Sequence, residues 1–192
     1  SKLFPGLQNL DISAGNKRAI LIRDIFAGTN NYMKNGTIIR QVVNKLNEID
    51  FNASEDRHTF GDIYESLLRD LQSAGNYGEF YTPRAVTDFM AKIIAPKIGE
   101  QVADFACGTG GFLTSWLKQL EPQVNTTKDR EAFGKSIYGI EKKQFPYMLC
   151  VTNMLLHNRD IPQVNHDNSL LKDVLDYTEE DKFDVVLMNP PY

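Results

Sequence analysis

Apolar residues recur at helical spacing along the first third of the chain. A first group lies near Ile20 and a second begins at Ile38, and the polar connection AGTNNYMKNG between them is typical of a loop. Thr59 and Asp62 open a third segment and have the spacing of a helix-capping pair. The apolar stripe of this segment comprises Phe60, Ile63, Tyr64, Leu67, Leu68 and Leu71. The pattern predicts a small helical domain over residues 1–75.

From about Gly78 the pattern changes to strands that alternate with helices. Thr82 is predicted to cap a helix whose first residue is Pro83. The strands are predicted in QVADFA, SIYGI and FDVVLM, whereas the polar stretch EPQVNTTKDREAFGK is expected to be a surface excursion. Alternating strands and helices predict a parallel α/β sheet of about four strands, formed by residues 76–192.

Three helices are predicted in this second part, and each has one apolar face. Their members are Val86, Phe89, Met90, Ile93 and Ile94 in the first helix, Phe112, Leu113, Trp116, Leu117 and Leu120 in the second, and Phe145, Met148, Leu149, Thr152, Leu155 and Leu156 in the third. These faces are expected to pack on the sheet and form the core.

The composition is that of an ordinary globular protein, with 192 residues, 42% hydrophobic and 24% charged. No apolar run approaches the ~20 residues that span a bilayer, and the start SKLFPGLQNL is not of signal-peptide type, so no membrane partner is expected. Cys107 and Cys150 are too few for a disulfide framework, which favours a reducing, cytoplasmic location. A formal net charge of −4 argues against strong nucleic-acid binding by this chain alone.

The stretch DFACGTGGF takes a strand into a glycine turn that opens a helix. Gly108 and Gly110 let the backbone turn tightly and let a ligand approach it closely. The spacing differs from the dinucleotide fingerprint G-x-G-x-x-G, and the Lys-Ser/Thr of a Walker A loop is absent. Glu141 ends the next strand, where a carboxylate can accept hydrogen bonds from ribose hydroxyls.

These features favour a nucleoside cofactor without phosphates, namely S-adenosylmethionine, because the loop lacks the donors that a pyrophosphate requires. Asp104 would accept from the ammonium group of its methionine part, and the helix beginning at Thr82–Pro83 would direct its N-terminus at the carboxylate. Taken singly, Asp104 could be a helix cap and Glu141 a solvated charge. Their order along the chain favours the cofactor site.

The last four residues, NPPY, follow an apolar strand and would project into the ligand crevice at its carboxyl end. The side-chain oxygen of Asn189 and the main-chain oxygen of Pro190 would accept both hydrogens of an exocyclic amine, and Tyr192 would stack on the base. Such a grip directs the lone pair of the amine at a methyl donor without a strong base. A proline turn after a core strand is the alternative interpretation.

Together these segments resemble the S-adenosylmethionine-dependent DNA methyltransferases that act on the N6 amine of adenine, and in particular the modification subunits of type I restriction-modification systems. The similar segments are GEFYTPRAV, DFACGTGGFL, YGIEKKQ, NMLLHN and NPPY. The resemblance implies a Rossmann-like methyltransferase sheet, incomplete here, preceded by a small helical domain. It implies a catalytic role for Asn189, Pro190, Pro191 and Tyr192, and cofactor contacts from Glu79, Phe80, Tyr81, Thr82, Asp104, Gly108, Gly110 and Glu141.

The resemblance also implies an acidic or amide side chain that binds the adenine amine of the cofactor. In NHDNSL, alignment on the Ser-Leu pair favours Asn168 and a preference for a carboxylate favours Asp167, so both stay open. The implied partners are DNA with an adenine flipped from the duplex, a separate specificity subunit, a second modification subunit and the nuclease subunit of such systems. The strands expected after NPPY are missing, so we expect this chain alone to be inactive.

Other functions fit parts of the pattern. NPPY also occurs in enzymes that methylate protein glutamine, and an RNA methyltransferase, a silent assembly module of the same fold or a nicotinamide-dependent oxidoreductase would share some of these features. No metal site is expected, because His58, His157 and His166 lack metal-ligand spacing. Cys107 has no neighbouring residue in the sequence that would activate it as a nucleophile.

Overall fold

The computed structural model describes residues 2–13, 15–50, 53–73, 81–157 and 161–191. The helices are α1 (Leu3–Gln8), α2 (Lys17–Phe26), α3 (Gly36–Leu46), α4 (Ser54–Ser73), α5 (Arg84–Ile94), α6 (Gly111–Leu120), α7 (Thr127–Gly134) and α8 (Gln144–Leu156). The strands are β1 (Val102–Asp104), β2 (Ile137–Glu141), β3 (Val164–His166) and β4 (Val185–Val186). Short 3-10 turns lie at Glu121–Gln123, Val174–Asp176 and Glu179–Asp181.

The four strands form one parallel sheet in the order β3-β2-β1-β4. Val102 of β1 pairs with Ile137 of β2 on one side and with Val185 of β4 on the other. The chain therefore winds outward from β1 in one direction and then returns to the opposite side of β1 with β4. In an open parallel sheet, the crevice at such a reversal is where ligands bind. The predicted parallel α/β sheet is confirmed.

The core lies between the sheet and the helices α6 and α8. All five members of the predicted apolar face of α6 are buried, and Trp116 is completely so. Both Val102 and Ala103 of β1 are buried although they point to opposite faces, which is expected of a central strand covered on both sides. The helix α6 was predictable because its apolar residues follow a single helical stripe.

The first 73 residues are helical where the structure describes them, as predicted, and they contact the α/β part directly. Ile25 of α2 belongs to the same apolar core as Val102 and Trp116. The helix α4 packs on α8, where the Tyr64 hydroxyl donates to the Leu149 carbonyl at 3.1 Å. The division of the chain at residue 75 stays a prediction.

The predicted cap of the third N-terminal helix is wrong. The helix α4 begins at Ser54, so Thr59 and Asp62 lie inside it, and both are exposed. Part of the predicted stripe is wrong too, because Ile63 and Leu67 are about half exposed, at 52% and 54%, while Leu68 is buried. The side chain of Leu71 lies outside the described residues. The buried face is instead rotated toward Glu65, which is only 6% exposed.

The predicted apolar faces of α5 and α8 are correct only in part. On α5, Met90 and Ile94 pack against the core, but Phe89 and Ile93 are exposed. On α8, Leu149 and Leu156 are buried, but Phe145 is exposed. Apolar residues surround most of α8, so periodicity alone does not determine which side of this helix meets the sheet.

Three local features also differ from the sequence-based expectation. The residue that caps α5 is Pro83, and Thr82 makes no capping hydrogen bond but lies one residue further upstream. The expected surface excursion contains a helix, α7, which begins with a capping box between Thr126 and Asp129. The strand β3 was not predicted, since it has three residues of which only Val164 is buried.

We predict that replacing Gly110 by Ala will lower the free energy of unfolding by about 2–4 kcal/mol. Gly110 has φ 81°, and an added Cβ would lie 2.8 Å from the Cys150 Sγ and 3.1 Å from the Met154 Cε. Chemical denaturation of the two proteins measures this difference. The control is Gly134→Ala in α7, where an added Cβ meets nothing within 4 Å. Equal effects of the two substitutions would show that the packing around Gly110 is not restrictive.

Candidate functional site

A small cavity of about 50 Å³ lies at the reversal of the sheet, where β1 and β4 diverge. Five of the residues predicted from the sequence line it: Tyr81, Thr82, Asp104, Gly108 and Asn189. They come from the segment before α5, the end of β1, the loop that follows it and the end of β4. The topology thus brings together residues that are up to 108 positions apart in the chain.

Asp104 is the acid at the centre of this site. It is 1% exposed, and its Oδ1 accepts a hydrogen bond from the Ala106 N–H at 3.1 Å. The pKa of this carboxyl is raised to about 7, chiefly by burial. The charge of Glu141 also raises the pKa, whereas the hydrogen bond from the Ala106 N–H lowers it. Near neutral pH the group is therefore divided between its acid and its carboxylate, and a cation in the cavity would favour the carboxylate.

The glycine loop is braced by Glu141 at the end of β2. The Gly108 N–H donates to Glu141 Oε2 at 2.9 Å, and the Lys143 N–H donates to Oε1 at 2.7 Å. Gly108 has φ 55°, and the Tyr81 ring lies so close that an added Cβ would be 3.4 Å from it. Each oxygen of Glu141 keeps a further lone pair, so the carboxylate can still accept from a ligand.

Asn189 follows β4 after two intervening residues and is tied to the other side of the site. Its Nδ2 donates to the Thr82 Oγ1 at 3.0 Å, which joins two segments 107 residues apart. This bond engages one of the two hydrogens of the amide nitrogen. Pro190 and Pro191 follow and are exposed, and Tyr192 lies outside the described residues.

A buried polar cluster beside the cavity was not predicted from the sequence. Arg84 Nε donates to Glu65 Oε2 at 2.8 Å, and Arg84 Nη2 lies 3.3 Å from Glu65 Oε1. Asn153 Nδ2 donates to Glu65 Oε1 at 2.8 Å and lies 3.3 Å from the Thr109 carbonyl of the glycine loop. The Arg84 and Glu65 side chains are 10% and 8% exposed. Glu65 lies in a helix with many charged residues, so the local sequence does not distinguish it from a solvated side chain.

The remaining predicted cofactor residues have less direct placements. The Asp167 N–H donates to the Glu141 carbonyl at 3.1 Å, so Asp167 lies beside the end of β2. Asp167 also lines a larger cavity of about 540 Å³ between α2, α8 and β3, in which the Tyr147 and His166 rings stack at 5.1 Å. Asn168 bonds locally, accepting from the Leu170 N–H, and the choice between the two residues stays open. Glu79 and Phe80 lie outside the described residues.

The two cysteines face each other in the core as free thiols, with their sulfur atoms 3.9 Å apart. The pKa of the Cys107 thiol is raised well above its ordinary value, chiefly by the hydrogen bond to Cys150 and by burial. A thiol of this kind is a poor nucleophile, which agrees with the structural role expected for Cys107.

Among the helices within the described ranges, none has both the length and the apolar character needed to cross a bilayer.

The strand order, the acid after β1, the glycine turn into α6 and the acid after β2 define a Rossmann-like fold of the methyltransferase class. The profile of the N-6 DNA Methylase family matches residues 55–192. The chain therefore belongs to this family, as the resemblance of its motifs had predicted.

Curated relatives of the chain are methylase subunits of type I restriction enzymes. The chain is 54% identical over 193 residues to the EcoEI methylase subunit of Escherichia coli, covering 99% of this chain and 39% of that protein. It is 33% identical over 159 residues to the MpnII methylase subunit of Mycoplasma pneumoniae, covering 77% of this chain and 27% of that protein. The chain thus spans less than half the length of these relatives.

Solved structures of modification subunits have the same fold. One, from Vibrio vulnificus YJ016, superposes with a TM-score of 0.81 at 43% identity, over 98% of this chain and 40% of that chain. Another, solved in a study of the assembly and conformational transition of the type I restriction-modification system, gives a TM-score of 0.85 at 34% identity, over 98% and 38%. The α/β fold of the incomplete methyltransferase sheet is confirmed by these superpositions.

We predict that replacing Asp104 by Asn will stabilise the protein. The folded-state pKa of about 7 exceeds the ordinary value of 3.8, so the folded protein binds more protons than the unfolded chain between these limits. The wild type therefore loses stability as pH rises from about 4 to about 7, and an amide does not. The shift corresponds to about 4 kcal/mol, which is the largest gain that we expect for the variant at pH 8.

Denaturation curves from pH 4 to pH 8 measure this gain, which should grow with pH and level off above pH 7. The matched control is Asp176→Asn, which makes the same change at an exposed position outside the core. A gain that is constant across the pH range would contradict the assignment of a buried, protonated carboxyl to Asp104.

Proposed function

We propose that this chain carries the cofactor-binding and catalytic half of an enzyme that transfers a methyl group from S-adenosylmethionine to the N6 amine of adenine in DNA. The observation that carries the proposal is the hydrogen bond from Asn189 Nδ2 to Thr82 Oγ1. It ties Asn189 to the segment before α5 and holds both residues at the cavity that contains Asp104. Membership of the N-6 DNA Methylase family supports the same reaction.

The residues around the cavity fit the methionine part of S-adenosylmethionine. Asp104 is a buried acid for which no cation within the described residues contributes to the pKa, so the cofactor's ammonium group would supply the missing charge. Glu141 retains lone pairs for the ribose hydroxyls. The cavity of about 50 Å³ is small and would receive only the methionine part of this cofactor.

Asn189 and Pro190 would grip the target amine. The free oxygen of the Asn189 amide and the carbonyl of Pro190 would each accept one hydrogen from the N6 amine. When bound, S-adenosylmethionine supplies an electrophilic methyl group on its sulfonium. The two acceptors orient the amine toward that group, and they polarise it without removing a proton beforehand. Thr82 is a positioning residue in this scheme, because its hydroxyl holds the Asn189 side chain at the cavity.

The target adenine would have to leave the duplex to reach these acceptors, and Tyr192 is proposed to stack on it. Relatives of the chain are named as methylase subunits of type I restriction enzymes, and a structural neighbour was solved as part of such an assembly. We therefore propose that the protein acts with a separate specificity subunit, a second modification subunit and a nuclease subunit. The acidic net charge of −4 suits a chain whose grip on DNA depends on these partners.

We also propose that the protein works in the cytoplasm, where its DNA substrate and S-adenosylmethionine are both present. Two free, buried thiols 3.9 Å apart are compatible with this reducing compartment.

We predict that Asn189→Ala in the full-length protein, assembled with its specificity subunit, will lower DNA methylation at least about 100-fold. The substitution removes one acceptor for the amine but none of the groups proposed to hold the cofactor. Transfer of label from S-adenosylmethionine to adenine in DNA measures the rate, and calorimetry should show cofactor affinity within about threefold of the wild type.

The matched control is Asn44→Ala, which makes the same change at an exposed position of α3 and should leave methylation unchanged. Label that appears on protein or RNA and never on DNA would overturn the proposed substrate. Unchanged DNA methylation by the Asn189 variant would overturn the proposed catalytic role.

We further predict that cofactor affinity will fall as pH is lowered through about 7, with a limiting slope of roughly tenfold per pH unit. The pKa of Asp104 is raised to about 7, so below this value the carboxyl must release its proton before it can pair with an ammonium group. Calorimetry at pH 6 in buffers of different ionisation enthalpy should detect about one proton released per cofactor bound. Affinity that is constant from pH 8 to pH 6 would show that Asp104 does not contact the ammonium.

A further inference from the structure

The glycine loop at residues 107–111 depends on contacts that fix its peptide planes, because glycine permits backbone rotations that other residues resist. Gly108 and Gly110 both have positive φ, at 55° and 81°. The Gly108 N–H is held by Glu141, and the Gly110 N–H donates to the Cys107 carbonyl at 2.8 Å. Both of these contacts engage N–H groups of the loop. A third contact engages a carbonyl and reaches the loop from a helix.

Asn153 of α8 supplies this third contact. Its Nδ2 donates to the Thr109 carbonyl at 3.3 Å, and the same nitrogen donates to Glu65 Oε1 at 2.8 Å. A primary amide has two N–H groups, so one nitrogen can serve both acceptors. Because the amide is planar, the bond to Glu65 on α4 also sets the direction of the N–H that faces Thr109. The Thr109 carbonyl and the Gly110 N–H belong to one peptide unit, and both ends of this unit are therefore engaged.

An amide at position 153 is costly for the fold. The residue is fully buried, and its Oδ1 has no hydrogen-bond partner among the described residues. Such an acceptor loses its hydration without compensation. An apolar side chain of similar volume would avoid this cost on a helix where the nearby residues Val151 and Met154 are also fully buried. Packing alone therefore does not explain an asparagine here, whereas the two hydrogen bonds from its nitrogen do.

We infer that Asn153 is a positioning residue for the cofactor, because it holds the peptide between Thr109 and Gly110 in the orientation that shapes the cavity. The inference rests on the proposed function, in which this cavity receives the methionine part of S-adenosylmethionine. Gly108, Thr109 and Gly111 line the cavity, whereas Asn153 is not among its lining residues. Asn153 therefore acts on cofactor affinity through the loop and contacts neither the transferred methyl group nor the target adenine.

The test replaces Asn153 in the full-length protein assembled with its specificity subunit. Asn153→Leu keeps a similar side-chain volume but removes both N–H groups. Calorimetry should show that this variant binds S-adenosylmethionine about 10-fold more weakly than the wild type does. The rate of DNA methylation at saturating cofactor should stay within about threefold of the wild-type rate, because the groups proposed to hold the target amine are unchanged.

Hydrogen exchange gives a second readout that does not depend on catalysis. In the cofactor-free variant, the backbone amides of residues 107–111 should exchange about 10-fold faster than in the wild type, since the contact at Thr109 is lost. Asn153→Ala removes the same donors without adding atoms. It should give the same two changes, and it tests the inference even where a leucine prevents folding.

The matched control is Val151→Ala, which truncates another fully buried side chain of α8. Deleting core methyl groups lowers the free energy of unfolding but removes no hydrogen bond to the loop. This variant should therefore keep the cofactor affinity of the wild type. Equal losses of affinity in the Val151 and Asn153 variants would overturn the inference, since the loss would then follow from general destabilisation of α8.

The remaining outcomes separate the inference from the proposed function. A wild type that binds no S-adenosylmethionine overturns the proposed function and the inference with it. Folded Asn153 variants that bind the cofactor as tightly as the wild type overturn the inference alone. A lower methylation rate at saturating cofactor with unchanged affinity would also overturn the inference, because Asn153 would then act on the chemical step.

Discussion

The buried ion pair between Glu65 and Arg84 is the interaction on which the arrangement of the site depends. It joins α4 to α5, and Asn153 extends it to α8 and to the Thr109 carbonyl of the glycine loop. Removing two charges from water is costly, and the cost is offset only when each has its hydrogen-bonding partners in good geometry. Three helices and the loop must therefore be correctly placed together. This requirement connects the N-terminal helices to the cofactor cavity through a few polar atoms.

Asp104 imposes a second constraint, because it is an acid enclosed by the core. Its burial raises its pKa to about 7 and destabilises the folded protein wherever the group is ionised. A purely structural position would favour an apolar residue there. The cavity instead holds a buried acid to whose raised pKa no cation among the described residues contributes. A cationic group of a ligand would offset this cost, in keeping with the proposed cofactor.

The sequence predicted the parts of the structure that depend on local pattern. The predicted face of α6 was correct because its apolar residues form one stripe, whereas that of α8 was correct only in part because apolar residues surround that helix. Thr82 was predicted to be a helix cap because it directly precedes Pro83. Its hydrogen bond to Asn189, 107 residues away, cannot be inferred from this local pattern. Glu65 was overlooked for a similar reason: its partners Arg84 and Asn153 are 19 and 88 residues distant. Contacts between residues so far apart in the chain depend on the order of the strands in the sheet, which the periodicity of apolar residues does not reveal.

The short segment from Tyr81 to Arg84 connects several parts of the site. Thr82 accepts a hydrogen bond from the Asn189 amide, while Arg84 lines the cavity and is held by Glu65. Tyr81 lies against Gly108, so the same segment also contacts the glycine loop. A displacement of this segment would therefore alter the cavity and the position of Asn189 together.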